Sequence, residues 1–154
     1  MGVVLDEKVV YQTPSPSVEK ANVLWVSRHP PLPSQIQYLE NKLGRIRIIQ
    51  ISGVIPNADT VIQLAKKYNA SIIVPVLPLS FIARLAEVSK REGFAVLFAR
   101  MEAIFQGSPE EAKSIQKEAP EKRTITTYAD NTCKVHEFRG FEKVIAVEIK
   151  TELW

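Results

Sequence analysis

The sequence predicts an α/β fold: a parallel sheet of about four strands in a three-layer arrangement, with an antiparallel hairpin added at the C-terminal end. Short apolar runs recur at 22–26, 46–51, 71–77 and 94–99, and the first three lead through a polar turn into a segment of helical period. Strands alternating with helices build βαβ units around a parallel sheet. The third run is almost wholly apolar, as a central strand covered on both faces should be. Residues 144–153 instead alternate apolar and polar side chains, which marks a strand with one wet face.

Residues 1–20 read as an N-terminal arm. Val3 to Tyr11 has strand composition, and Gln12-Thr13-Pro14-Ser15-Pro16-Ser17 is a linker, since two prolines interrupt any ladder or helix. The arm is expected to be flexible, or to pair with a sheet edge or a second subunit. A single domain, 21–154, follows. After the first strand, Pro30-Pro31-Leu32-Pro33 is a stiff connector into a helix from about Ser34, with Ile36, Leu39 and Leu43 on one face and Gly44 as its stop. The second strand ends at Ser52-Gly53. Asn57 is a good cap for the next helix, Asp59 suits its first turn, and Val61, Leu64, Ala65 and Tyr68 form its stripe.

Pro75 lacks a ladder N–H, so the third strand should bulge there or become irregular near its end. The helix after Leu77-Pro78-Leu79-Ser80 carries Ile82, Leu85, Ala86 and Val88. Ser108-Pro109-Glu110-Glu111 is a complete helix start: Ser as cap, Pro at the first helical position, Glu at the capping-box position. This helix, to about Glu118, has few apolar residues and should lie on the surface. Strands are expected at 124–128 and 133–139, and Gly140-Phe141 should link 133–139 to 144–153 as a hairpin. The architecture so read is a Rossmann-like parallel sheet with an added hairpin.

Composition excludes several classes. The 154 residues are 45% hydrophobic and 24% charged, ordinary for a soluble globular chain. No apolar run approaches the roughly 20 residues of a membrane helix. The N-terminal residues lack a basic stretch and a long apolar core, so no signal peptide is expected and the expected location is cytoplasmic. One cysteine, Cys133, permits neither an intramolecular disulfide nor a cysteine metal cluster. The two histidines stand far apart without a carboxylate pattern, so no metal site is predicted. A net charge of +3 permits an anionic ligand or nucleic acid without arguing for either. No GxGxxG or Walker pattern occurs, and no cofactor is expected.

Ligands of open parallel sheets bind outside the carboxyl ends of the strands. The polar residues predicted there are Arg28, His29, Ser52, Ser80 and Arg100. Arg28 offers a guanidinium fork to a phosphate or carboxylate, and His29 a hydrogen bond or a proton. The competing reading makes both solvated residues beside a proline turn. Ser52-Gly53 permits close backbone approach by a ligand, or is a plain strand-to-loop turn. Ser80 stands at a helix N-terminus, where anions bind, or only caps that helix. Arg100 contacts a ligand, or pairs with Glu102 or water. Lys122, Arg123, Lys134, His136 and Arg139 with Phe138 and Phe141 would form a basic, aromatic patch for single-stranded nucleic acid, or a solvated strand face over core phenylalanines.

The run Val23-Leu24-Trp25-Val26-Ser27-Arg28-His29-Pro30, the strand into Gln50-Ile51-Ser52-Gly53, Leu77-Pro78-Leu79, Arg100-Met101-Glu102 and the stretch from Phe141 to Glu152 resemble a group of small, uncharacterised archaeal and mobile-element proteins with Rossmann-like folds, across about 21–107 and 133–154. That group brings no activity with it. The turn after the first strand also resembles that of small CRISPR-associated Rossmann-like proteins, with Arg28 inserted between Ser27 and His29. The wider class senses or cleaves cyclic oligoadenylates, so this resemblance implies an anionic nucleotide ligand. The functional expectation is binding of a small anionic, nucleotide-like ligand, without catalysis, at Arg28, His29, Ser52, Ser80 and Arg100. The alternatives are a nucleic-acid-binding accessory protein and a phosphodiesterase-like enzyme using His29. The exposed arm and the C-terminal edge strand suggest a homodimer.

Overall fold

The computed structural model describes residues 4–14 and 19–154; part of the expected linker lies outside them. The elements run β1 (Asp6–Gln12), β2 (Ala21–Val26), α1 (Pro33–Leu43), β3 (Ile46–Ser52), α2 (Ala58–Lys67), β4 (Ala70–Pro75), α3 (Leu79–Glu92), β5 (Ala95–Gly107), α4 (Pro109–Glu118), β6 (Arg123–Thr127) and β7 (Cys133–Lys143). The protein is therefore mixed α/β, with four helices and seven strands among the described residues. The chain forms two compact units. One holds the residues up to Pro30, Leu43–Phe98 and Lys143–Trp154; the other holds Pro31–Lys42 and Ala99–Glu142.

In the first unit β1, β3, β2, β4 and the start of β5 lie side by side in that order. Extended parallel ladders join β2 to β3, from Ala21 opposite Ile46 to Val26 opposite Ile51, and β2 to β4. The parallel contact of β4 with β5 covers only Ile72–Ala95 and Ile73–Val96. The broad four-stranded parallel sheet expected from the apolar runs is thus reduced to three long parallel strands with a short fourth partner. The N-terminal arm takes the edge-pairing course: β1 runs antiparallel to β3, with an irregularity between Val9 and Tyr11.

Helical period and caps explain the helices of this unit. Asn57 accepts hydrogen bonds from the Thr60 amide and hydroxyl, which fixes the start of α2. The stripes of α2 and α3 bring Val61, Leu64, Ala65, Leu85 and Val88 onto Leu24, Val26, Ile49, Ile51, Ile73 and Val96. The opposite-facing side chains Val23, Trp25, Ile48 and Val74 are buried too, which is why these strands read as continuous apolar runs. Pro75 is the last residue of β4, opposite Val26, so the missing N–H falls where the ladder stops. The irregularity in this ladder lies at the other end, beside Asn22.

In the second unit the remainder of β5 neighbours β7, and β7 pairs antiparallel with β6 from Arg123 opposite Glu137 to Thr127 opposite Cys133. The antiparallel hairpin exists, but one element earlier than the sequence suggests: its turn is 128–132, and no strand forms over 144–154. Gly140 is inside β7 with φ +119°, and a Cβ there would lie 3.2 Å from the Tyr38 ring, so this glycine serves close packing rather than a turn. Ser108 accepts from the Glu111 amide and starts α4 as predicted; Ala112 is its buried residue, set against Cys133 and Val135.

Candidate functional site

The ends of β2, β3 and β4 open into a cleft of about 530 Å³ in the first unit. Its lining comes from Val26–His29 at the end of β2, Ile51–Ile55 at the end of β3, and Val76 and Leu77 after β4. The Val76 amide donates to the Val26 carbonyl at 2.9 Å, so the chain leaving β4 stays beside the end of β2. Of the residues expected at the site, Arg28, His29 and Ser52 share this lining.

The turn carrying Arg28 is tied at three points. Trp25 Nε1 donates to the His29 carbonyl at 2.8 Å, Gln50 Nε2 donates to the Ser27 carbonyl at 2.8 Å, and the His29 amide donates to Ser27 Oγ at 3.1 Å. Trp25 and Gln50 are themselves register partners across β2 and β3, and both are buried. A buried glutamine in an apolar strand needs a partner, and the Ser27 carbonyl supplies one. The residue pattern alone assigns neither of them a role. The signal was present in Gln50, a lone amide within Ile48-Ile49-Gln50-Ile51.

The turn therefore presents the Arg28 and His29 side chains at the cleft with their backbone already fixed. Both are exposed, and among the described residues no carboxylate forms an ion pair with either. Six aliphatic side chains share the lining, and Val54 and Val76 are 80% and 71% exposed. One permanent cation, one imidazole, two hydroxyls and an apolar wall suit a ligand with an anionic group and a flat or apolar body. The lining supplies His29 with no carboxylate or second imidazole as a proton-transfer partner.

Gly53 has a reason other than ligand approach. Its φ is +118°, and a Cβ would lie 3.1 Å from Leu5 Cδ2 and 3.3 Å from the Val4 carbonyl oxygen. The chain entering β1 occupies the space.

Ser80 and Arg100 do not line the cleft. Ser80 is the second residue of α3; the cap position belongs to Pro78, with no side-chain cap bond, so the expected capping role is not seen. Arg100 lies in the second unit, 3.7 Å from Glu142, and Glu102 pairs instead with Arg139 at 3.0 Å.

Three cations of the expected nucleic-acid patch, Lys122, Arg123 and Arg139, are arranged around Glu137. This carboxylate lies 2.8 Å from Arg139, 3.0 Å from Arg123 and 3.5 Å from Lys122, and its side chain is only 6% exposed. The Arg123 hydrogen bond, with the nearby charges of Arg139 and Lys122, holds its carboxyl below the usual glutamate value. Phe138 is buried, and Phe138, Phe141 and Tyr38 pack edge to face. These three cations have carboxylate partners, Lys134 lies 5.5 Å from the centre of the Tyr128 ring, and Phe138 and Phe141 pack on one another.

Among the described residues no group of three or more His, Cys, Asp or Glu is placed to hold a metal ion, and no helix is long and apolar enough to cross a membrane. Comparison with protein-family profiles, curated proteins and solved structures finds no match.

Proposed function

We propose that the protein binds a small anionic, nucleotide-like ligand in the cleft at the ends of β2, β3 and β4. The observation that carries this reading is the tied Ser27–His29 turn, which holds Arg28 and His29, without an ion-pair partner among the described residues, beside Ser52 on one apolar-walled cleft. Arg28 grips the anionic group, Ser52 and His29 hydrogen-bond beside it, and the aliphatic wall takes the base or another flat body. The resemblance of the turn to CRISPR-associated Rossmann-like proteins favours a nucleotide among anions. His29 acts as a binding group, since an acid–base step needs a partner that the lining does not supply.

The test is a thermal-shift titration with mono-, di- and cyclic oligonucleotides. A ligand at a hundred times its Kd stabilises by about 2.7 kcal/mol. For a chain of this size that raises Tm by roughly 5–10 °C. Arg28→Ala should remove the shift while leaving the unliganded Tm unchanged, because Arg28 is exposed. Absence of a shift with every nucleotide, or a shift that survives Arg28→Ala, refutes the assignment.

A further inference from the structure

We infer that Val147–Thr151 of one copy adds as an antiparallel strand to the outer edge of β1 in a second copy. Residues 145–153 have the period-two pattern of a half-buried strand, with Ile145, Val147, Ile149 and Leu153 on one face. Yet no strand forms there, and Ile145 and Ile149 are 73% and 88% exposed. The segment is tethered where it begins, by the Val144 amide donating to the Val96 carbonyl at 2.8 Å. A strand-forming sequence thus leaves the sheet with Ile145, Ile149 and Leu153 of its apolar face exposed and Val147 half-buried.

An acceptor for it exists. β1 pairs with β3 on one side, and among the described residues no strand lies on its other side. Such an edge offers unpaired N–H and C=O groups to an incoming strand. Val9 on it is 49% exposed.

Among the registers that keep the apolar face of the added strand on the side of Leu5, charge selects one. Placing Val147 opposite Val9 in antiparallel sense sets Glu148 opposite Lys8 and Lys150 opposite Asp6. Opposite charges on directly facing residues stabilise a strand pair, and like charges destabilise it. Sliding two residues one way sets Lys150 against Lys8 and Glu152 against Asp6; sliding the other way sets Glu148 against Asp6. Both alternatives oppose like charges. In the favoured register Thr151 falls opposite Leu5, which packs on the core, so the apolar face of the added strand continues the side of the sheet covered by α2 and α3.

The incoming strand belongs to another copy because its own cannot reach. β1 is four strand spacings from β5, about 19 Å at roughly 4.8 Å each. From Val144, anchored on β5, three extended residues to Val147 span only about 10 Å. Reciprocal exchange of the two segments closes a twofold dimer.

The experiment is sedimentation velocity on the full chain over a range of concentrations. A reversible dimer is expected. Lys8→Glu or Glu148→Lys alone should weaken it roughly tenfold, and the two together should restore it, since the charges are then exchanged. In a Cys133→Ser background, Val9→Cys with Val147→Cys should form an intermolecular disulfide on mild oxidation, and Val9→Cys with Glu148→Cys should not. A monomer at the highest soluble concentration overturns the inference. A dimer indifferent to the charges at 8 and 148 does so equally.

Discussion

Replacing Glu137 by glutamine removes the one negative charge shared by Lys122, Arg123 and Arg139 and keeps the side chain's size. The cost can be worked from the surroundings. Removing one member of a buried ion pair costs about 3–5 kcal/mol, most of it from the charge left behind. Lys122 and Arg139 are 42% and 45% exposed and can rehydrate, and Arg139 keeps Glu102. Arg123 is only 17% exposed, but it retains the Ile115 carbonyl at 2.7 Å and Glu118 at 3.4 Å. The expected loss is therefore at the low end, about 3 kcal/mol. In a chain of this size it should appear as a fall in Tm of roughly 6–12 °C. Urea unfolding followed by circular dichroism measures the free energy, and hydrogen exchange should show the β6 and β7 amides losing protection first. Glu102→Gln is the control: it removes an exposed partner of Arg139 and should change stability by no more than about 0.5 kcal/mol. If Glu137→Gln falls within that same margin, the network is not a buried one and the reasoning fails.

Gln50→Leu removes the donor to the Ser27 carbonyl; it should lower stability by about 1 kcal/mol and weaken ligand binding although Arg28 is intact. Calorimetric titration beside urea unfolding checks this, and unchanged affinity would deny Gln50 its positioning role. Asn57→Ala should cost about 1 kcal/mol through loss of the α2 cap, read from the urea midpoint. Acid should destabilise the fold through Glu7 as well as Glu137. Hydrogen bonds from Lys67 and Tyr68 hold the Glu7 carboxyl below its ordinary value of 4.5. A depressed carboxyl contributes stability that is complete at neutral pH and is lost as pH falls from about 4.5 through the folded value. Glu7→Gln should therefore flatten the decline in stability between about pH 5 and pH 3, measured by urea midpoints across that range.

Local signals read well where local physics decides. The caps at Asn57 and Ser108, the stop at Gly44 and the buried stripe of α3 all sit at the predicted residues. Pairing partners were less legible. Run length suggested a short fourth strand, but β5 continues to Gly107 because its later residues pair in the second unit. Glycine marks turns and so points to a hairpin at Gly140-Phe141, whereas the structure uses Gly140 for the approach of Tyr38. Alternation at 144–153 correctly marks strand propensity, but propensity needs a neighbour, and no neighbouring strand lies there in the described chain.

The site divides in the same way. Arg28, His29 and Ser52 fall on the cleft lining because each stands at or just after the end of a parallel strand. Arg100 was misplaced because β5 does not end where its apolar run ends, so the guanidinium sits within a strand and pairs with Glu142. The residues that hold the turn, Trp25 and Gln50, are given no role by the sequence pattern. Their role depends on being opposite one another across β2 and β3, a relation that exists only once the register is set. Yet each is an anomaly within its own strand: an indole and an amide, both needing hydrogen-bond partners, inside apolar runs. A buried donor in a parallel strand must satisfy itself at a loop or a strand end, and here both do so on the same turn, the one that carries Arg28 and His29.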